Sequence, residues 1–197
     1  MNFEEYAAKP LLAARGIAVP RSELARTPAA AADIAARLGA VVVKAQVPTG
    51  KRGKAGGIKL AATPDDAKIH ATAIIGMQID GHPVEKVLVE EQMPIERELY
   101  AAVLNDSSSK GPLVIFSTAG GMDIEEVAAT APDKLRRHAV DIRRGFSRGD
   151  AAALVRGMGL GASEGKVADA LARLYEVYAA FDAELLEINP LIVTKDG

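Results

Sequence analysis

The chain of 197 residues contains no cysteine. Disulfides, thiolate metal ligands and cysteine nucleophiles are excluded with it. Tryptophan is also absent, and aromatics are only 4% of the residues, too few for a nucleic-acid module that stacks bases on rings. No apolar run approaches the roughly 20 residues that a membrane-spanning helix needs. The opening MNFEEYAAKP has no basic segment followed by an apolar one. No secretory signal is expected there, and the expected compartment is the cytoplasm. Neither sign of charge is in excess: a formal net charge of −2 gives no global pull toward nucleic acid or membranes.

What is present suits a globular protein. The length allows one sizeable core or two small lobes. Alanine supplies much of the apolar share, which favours helices. Asn2 to Arg15 reads as an amphipathic helix with Phe3, Tyr6, Ala7, Leu11 and Ala14 near one face and Pro10 as a site for a kink. Thr27 before PAAAADIAARLG predicts a capped helix, and Thr63 opens another that runs to about Ile75. Val41–Val47 predicts a buried strand, Ile58–Ala61 a short returning one, and Val84–Glu91 a third after a Gly81-His82-Pro83 turn. Arg97–Leu104 and Leu113–Ser117 read as paired strands. Short helices are expected over Ile124–Ala129 and Asp150–Met158. Val167, Leu171, Leu174, Tyr178, Phe181 and Leu185 recur at helical spacing, with Tyr175 and Tyr178 expected in the core. Leu185–Val193 then reads as a strand interrupted by Asn189-Pro190. Helices mixed with hairpins predict an α+β (mixed α/β) architecture.

Three segments carry chemistry. Lys44 to Lys59 holds Lys44, Lys51, Arg52, Lys54 and Lys59, no acid, and Gly50, Gly53, Gly56 and Gly57. Glycines let backbone N–H groups approach an anion, and clustered cations neutralise it, so the loop suits a phosphate chain. A solvated basic hairpin is the alternative. It matches neither the G-x-x-x-x-G-K-[ST] loop nor a dinucleotide fingerprint, because a strand follows it. Glu85 to Glu98 is rich in carboxylates that could accept ribose hydroxyls or hold water on Mg²⁺; taken alone, a solvated strand exit is the better reading. Glu187 and Asn189 share a face if their segment is a strand, which suits Mg²⁺ with substrate phosphates; a strand-end turn is the plainer reading. His70, His82 and His138 have no metal-ligand spacing. The basic stretch Lys134 to Arg148 reads as a solvated helix face, or as an interface to an acidic partner.

Five segments in order, NFEEYAAKPLLAARGIAVP, VVVKAQVPTGKRGKAGGIK, VLVEEQMPIERELYAAVLNDSS, IFSTAGGMDIEEVA and LLEINPLIVTKDG, resemble the N-terminal ATP-grasp domain of succinyl-CoA synthetase β subunits (ADP-forming succinate–CoA ligases). The resemblance covers essentially the whole chain. It implies an ATP-grasp domain over 1–197, with ATP between a small lobe (19–93) and a large lobe (1–18 plus 94–197). By resemblance Lys44, Lys51, Arg52 and Gly53 contact the phosphates, Glu90 and Met93 lie near adenine, and Glu98 meets ribose or phosphates. Asn189 would be a Mg²⁺ ligand. Glu187 would be the catalytic residue, facing the phosphohistidine of a partner α subunit. The implied reaction joins succinate and CoA at the expense of ATP, through that phosphohistidine, as in the tricarboxylic acid cycle. Malate–CoA and citrate–CoA ligase β subunits share the motifs, and a non-catalytic nucleotide- or partner-binding module is the rival reading. No histidine of this chain would be phosphorylated, and neither nucleic acid nor membrane is an expected partner. The chain departs from the family in Lys51, where glycine is common, in Ala119 of STAGG, and in Pro10. Its end at Gly197 leads to the expectation that a second Mg²⁺ ligand and the C-terminal CoA-ligase domain are absent, and that this chain alone is inactive.

Overall fold

The structure, a computed structural model, describes residues 2–50 and 52–197. It divides into two compact units, one of residues 1–14 and 18–93, the other of 15–17 and 94–197.

The first unit is built on helix α1 (Glu5–Ala14), strand β1 (Ser22–Ala25), α2 (Pro28–Leu38), β2 (Val41–Ala45), β3 (Ile58–Ala61), α3 (Pro64–Ile74), the small hairpin β4 (Gln78–Ile79) and β5 (His82–Pro83), and β6 (Val87–Glu91). Its antiparallel sheet runs β1-β6-β2-β3. Alternation decides which face is dry: Val41, Val43, Ala45, Val87 and Val89 form a buried cluster with Ala31, Ile34 and Ala35 of α2 and Ala67, Ala71 and Ile74 of α3. Local chemistry starts both helices. The Thr27 hydroxyl accepts from the Ala30 N–H, and Thr63 with Asp66 forms a reciprocal capping box.

The second unit contains β7 (Ile95–Asp106), β8 (Gly111–Ser117), α4 (Ile124–Thr130), β9 (Leu135–Ala139), α5 (Arg148–Val155), α6 (Glu164–Ala180) and β10 (Leu185–Thr194). Its antiparallel sheet runs β10-β7-β8-β9. Helix α6 buries Val167, Leu171, Leu174, Val177 and Tyr178, whereas Tyr175 is half-buried and stacks near Tyr178. Residues 15–17 join this unit, where Arg173 Nη1 donates to the Gly16 carbonyl at 2.6 Å. A Cβ on Gly16 would lie 1.9 Å from that nitrogen.

Four expectations change. Helix α1 groups with residues 18–93 rather than with 94–197, because Glu4, Glu5 and Lys9 pair with charged groups of that unit. Its supposed apolar face is not the packed one: Phe3 is 57% exposed and Ala14 is exposed, while only Leu12 of the helix is fully buried. Pro10 does not interrupt the helix; it faces solvent. The stretch from Lys134 is not a helix face: Leu135–Ala139 is an edge strand paired to β8, with Arg136 and Arg137 exposed, and the next helix starts at Arg148.

Candidate functional site

In the first unit the face of the sheet opposite the core carries Lys44 and Glu90. Strand alternation puts Lys44 there, between inward Val43 and Ala45. Glu90 pairs in register with Val42, so it lies diagonally across from Lys44 on β6. Lys44 Nζ is 2.6 Å from Glu90 Oε1 and 3.0 Å from Glu5 Oε1. Lys9 Nζ is 3.0 Å from Glu5 Oε1 and also pairs with Glu90 Oε2. Arg52 Nη1 is 2.9 Å from Glu5 Oε2 and donates to the Ala45 carbonyl at 3.0 Å. Five charged side chains therefore interlock around Glu5 and Glu90.

Burial alone would raise the Glu5 carboxyl; Lys44, Lys9 and Arg52 outweigh it and hold it at about 2. Burial likewise pushes the Lys9 ammonium down to about 8, although Glu5 opposes the change. Buried Gln46 fixes the approach of α1: its Oε1 accepts from the Tyr6 N–H at 3.0 Å, and its Nε2 donates to the Ala45 carbonyl at 3.0 Å. Lys86 pairs with Glu4 at 2.7 Å and stands 5.3 Å from the Tyr6 ring centroid.

The loop after β2 is closed on itself. The Gly57 N–H donates to the Arg52 carbonyl at 2.9 Å, and the Gly56 N–H to the Gly53 carbonyl at 3.0 Å. A Cβ on Gly57 would lie 3.2 Å from the Arg52 carbonyl oxygen, so glycine lets the chain fold back there. Lys51 lies outside the described residues. Met93 is half-buried at the end of the first unit.

In the second unit two sites form along β7 and β10. Glu187 and Asn189 are both exposed and alternate with less exposed Leu186 and Ile188, so they share a strand face. Tyr100, 2% exposed, donates its hydroxyl to Glu187 Oε2 at 2.8 Å. Burial, together with that carboxylate, raises the phenol above its ordinary range and keeps it a donor. Asn189 instead meets the Gly120–Gly121 turn: its Oδ1 accepts from the Gly121 N–H at 2.8 Å and its Nδ2 donates to the Met122 carbonyl at 3.2 Å. A Cβ on Gly121 would lie 2.5 Å from Glu98 Oε2. Asn189 and Glu98 thus converge on one turn, and among the described residues the Glu98 carboxylate has no hydrogen-bond or ion-pair partner.

The structure therefore brings together Lys44, Arg52 and Glu90 in one cluster and Glu98 with Asn189 in another. Gly53 serves as a turn residue. The sequence reading missed Glu5, Lys9, Gln46 and Tyr100. Glu5 and Lys9 have the i, i+4 spacing of an ordinary exposed helix pair, and only their pairing with β2 and β6 distinguishes them. Among the described residues no group of three or more His, Cys, Asp or Glu side chains is placed to hold a metal. Glu98 and Asn189 still offer hard oxygen donors of the kind that bind Mg²⁺ when substrate phosphates and water complete its shell. His138 packs edge-on against Phe146 at 5.1 Å, and His82 is exposed.

A family model described as the ATP-grasp domain matches residues 2–193. The GDP-forming succinate–CoA ligase subunit beta of Thermus thermophilus is 46% identical over 198 residues, covering 100% of this chain and 52% of that protein. The ADP-forming succinate–CoA ligase subunit beta of Methanocaldococcus jannaschii is 42% identical, covering 100% of this chain and 54% of its own length. The chain spans about half the length of the curated relatives it matches. Among solved structures, the dinucleotide-forming acetyl-coenzyme A synthetase 1 of Ca. Korarchaeum cryptofilum, in complex with coenzyme A, Ca-AMPCP and HgCl+, superimposes with a TM-score of 0.81. It is 22% identical, and the match covers 98% of this chain and 88% of that one. ATP citrate lyase from Methanothrix soehngenii, in complex with citrate and coenzyme A, gives a TM-score of 0.76 at 24% identity, over 98% of this chain and 48% of that one. At such identities these two likenesses speak for the fold alone. Helices and antiparallel sheets in the mixed α+β arrangement, a basic glycine-rich strand–loop–strand, and a family match over nearly the whole length agree: the chain belongs to the ATP-grasp domain family.

Proposed function

We propose that this chain is the nucleotide-binding part of the β subunit of an acyl-CoA synthetase of the succinate–CoA ligase type. One observation carries the reading. Lys44 and Arg52, brought together by the glycine-rich connection of β2 and β3, already share one carboxylate, that of Glu5, at 3.0 and 2.9 Å. Two cations that converge on one anionic group are what a phosphate oxygen needs. The identity to succinate–CoA ligase β subunits supports succinate, CoA and a nucleoside triphosphate as substrates. A malate- or citrate-directed relative remains the second reading for the carboxylate.

In this reading Lys44 and Arg52 neutralise the phosphate chain, with Lys51 and Gly53 of the same loop as further contacts. Glu90 holds Lys44 in place, and Met93 lies beside the base. Glu98 and Asn189 are the oxygen donors for Mg²⁺, which when bound screens charge on the transferring phosphoryl group. Glu187, oriented by the Tyr100 hydroxyl, accepts a hydrogen bond from the imidazole of a partner α subunit's histidine and so aligns it for phosphorylation. The phosphoryl group passes from nucleotide to that histidine, leaving the diphosphate, and onward to the carboxylate as an acyl phosphate, from which the CoA thiol displaces inorganic phosphate to form the thioester. A cytoplasmic setting and a place in the tricarboxylic acid cycle go with this reading. No helix among the described residues is long and apolar enough to cross a membrane.

The test is calorimetric titration of the chain with MgADP and MgATP. Binding should occur at submillimolar to millimolar nucleotide and be lost in Lys44→Met and Arg52→Met. Binding that is indifferent to both substitutions would sink the assignment.

A further inference from the structure

Glu5 is the group on this face that nucleotide binding does not explain. It comes from a helix, not from the glycine-rich loop, and its two oxygens bridge Lys44 and Arg52. Lys9, Lys44 and Arg52 face Glu5 and Glu90, which leaves the cluster with one net positive charge. Lys44 and Arg52 are therefore not free for an incoming anion; most of their charge is already matched inside the unit.

Each member nevertheless has a second partner. Lys44 also holds Glu90 at 2.6 Å. Arg52 also donates to the Ala45 carbonyl at 3.0 Å. Glu5 also holds Lys9 at 3.0 Å, one turn along the same helix. An arriving phosphate oxygen can replace the Glu5 carboxylate on Lys44 and Arg52 without leaving any of the three unpaired. Glu90 cannot play this part. It sits in the middle of the sheet, flanked by β1 and β2, and it reaches Lys44 but is not paired with Arg52.

We infer that Glu5 is an internal stand-in for phosphate: its carboxylate occupies Lys44 and Arg52 until nucleotide displaces it, and so sets nucleotide affinity. This rests on the phosphate role proposed above for Lys44 and Arg52. The device keeps the cations paired and ordered when no nucleotide is bound. It also makes binding an exchange of anions, so the affinity is lower than two unpaired cations would give.

The experiment compares wild type, Glu5→Gln and Glu4→Gln by calorimetry with MgADP and with inorganic pyrophosphate. Glu5→Gln keeps the shape and removes the charge. It should bind both ligands more tightly, by roughly fivefold to tenfold on the scale of one charge at short range in a partly solvated site. Glu4→Gln loosens the same helix without freeing Lys44 or Arg52, and should change affinity less than about twofold. In the wild type, amide exchange over the first turn of α1 should quicken when MgADP saturates the protein. That measurement decides the matter if Glu5→Gln does not fold, and unchanged exchange there overturns the proposal. Lys44-dependent binding that Glu5→Gln leaves equal or weaker overturns the Glu5 assignment alone. Equal gains in Glu4→Gln and Glu5→Gln also overturn it, because loosening of the helix would then be the cause. Binding by neither wild type nor Glu5→Gln overturns both this inference and the nucleotide reading.

Discussion

The two sheets treat their candidate site residues in opposite ways. In the first unit Lys44, Arg52, Lys9, Glu5 and Glu90 are largely buried and pair with one another. In the second, Glu98 is exposed without a partner among the described residues, and Asn189 is held by backbone groups alone. The first arrangement makes charge part of the fold, because an unpaired buried charge costs several kcal/mol, on the order of 3–5. The second makes charge an addition to a fold that hydrogen bonds and close backbone contacts already fix. Disturbing function and disturbing stability should therefore coincide in the first unit and separate in the second.

The largest expected effect tests the backbone side of that contrast. A Cβ at Gly120 would stand 2.3 Å from the Leu99 carbonyl oxygen and 2.5 Å from its nitrogen, neither of which can move alone. Gly120→Ala should destabilise the second unit by about 3 kcal/mol, whereas Gly57→Ala should cost about 1 kcal/mol. At Gly57 the tightest contact is a side-chain methyl, Ile79 Cδ1 at 2.8 Å. Urea denaturation followed by amide exchange in β7 and in β2 separates the two. Equal costs would remove the contrast.

Acid tests the charge side. The Glu5 carboxyl lies at about 2 in the folded chain against 4.5 for the free group. A depressed carboxyl contributes stability that is complete above the unfolded value and is lost as pH falls through the folded one. The first unit should accordingly lose on the order of 2–3 kcal/mol between about pH 5 and pH 2. Exchange protection in β2 and β6 reports the loss, and it should vanish in Glu5→Gln. Should β7 and β8 weaken over the same window as strongly, Glu5 is not the cause.

The smallest effect sharpens the contrast inside the second unit. Tyr100→Phe removes the 2.8 Å hydrogen bond to Glu187 and nothing else of the buried ring. It should cost about 1 kcal/mol of stability. Under the proposed function it should slow phosphorylation of a partner subunit's histidine while leaving nucleotide affinity unchanged, as single-turnover phosphorylation and calorimetry would show.

Much of this was legible in the sequence, for reasons that are local. Val41–Val43 is a β-branched run, Thr27-Pro28 and Thr63-Pro64 carry their own caps, and NDSSSKGP announces a turn. The β2–β3 connection shows its chemistry in composition alone. What stayed hidden depends on pairing at a distance. Ser22–Ala25 is too short and too polar to read as a strand, and becomes one only against β6. Leu135–Ala139 has the charge pattern of a surface helix and takes strand form from β8. Glu5 looked like any exposed acid, because nothing in MNFEEYAAKP shows that the helix would turn its charged side inward. The motif resemblance names Glu187, but the buried Tyr100 beside it follows from register: β7 runs antiparallel to β10 across the interruption at Asn189-Pro190.

The arginines of β9 have a consequence for how copies of this chain meet. The strand closes one side of the second sheet, and among the described residues no further strand pairs with it. Arg136 and Arg137 project from that border into solvent. A second copy brought alongside in register would set guanidinium against guanidinium, and the repulsion would exceed what a few new backbone bonds return. The border thus discourages its own extension.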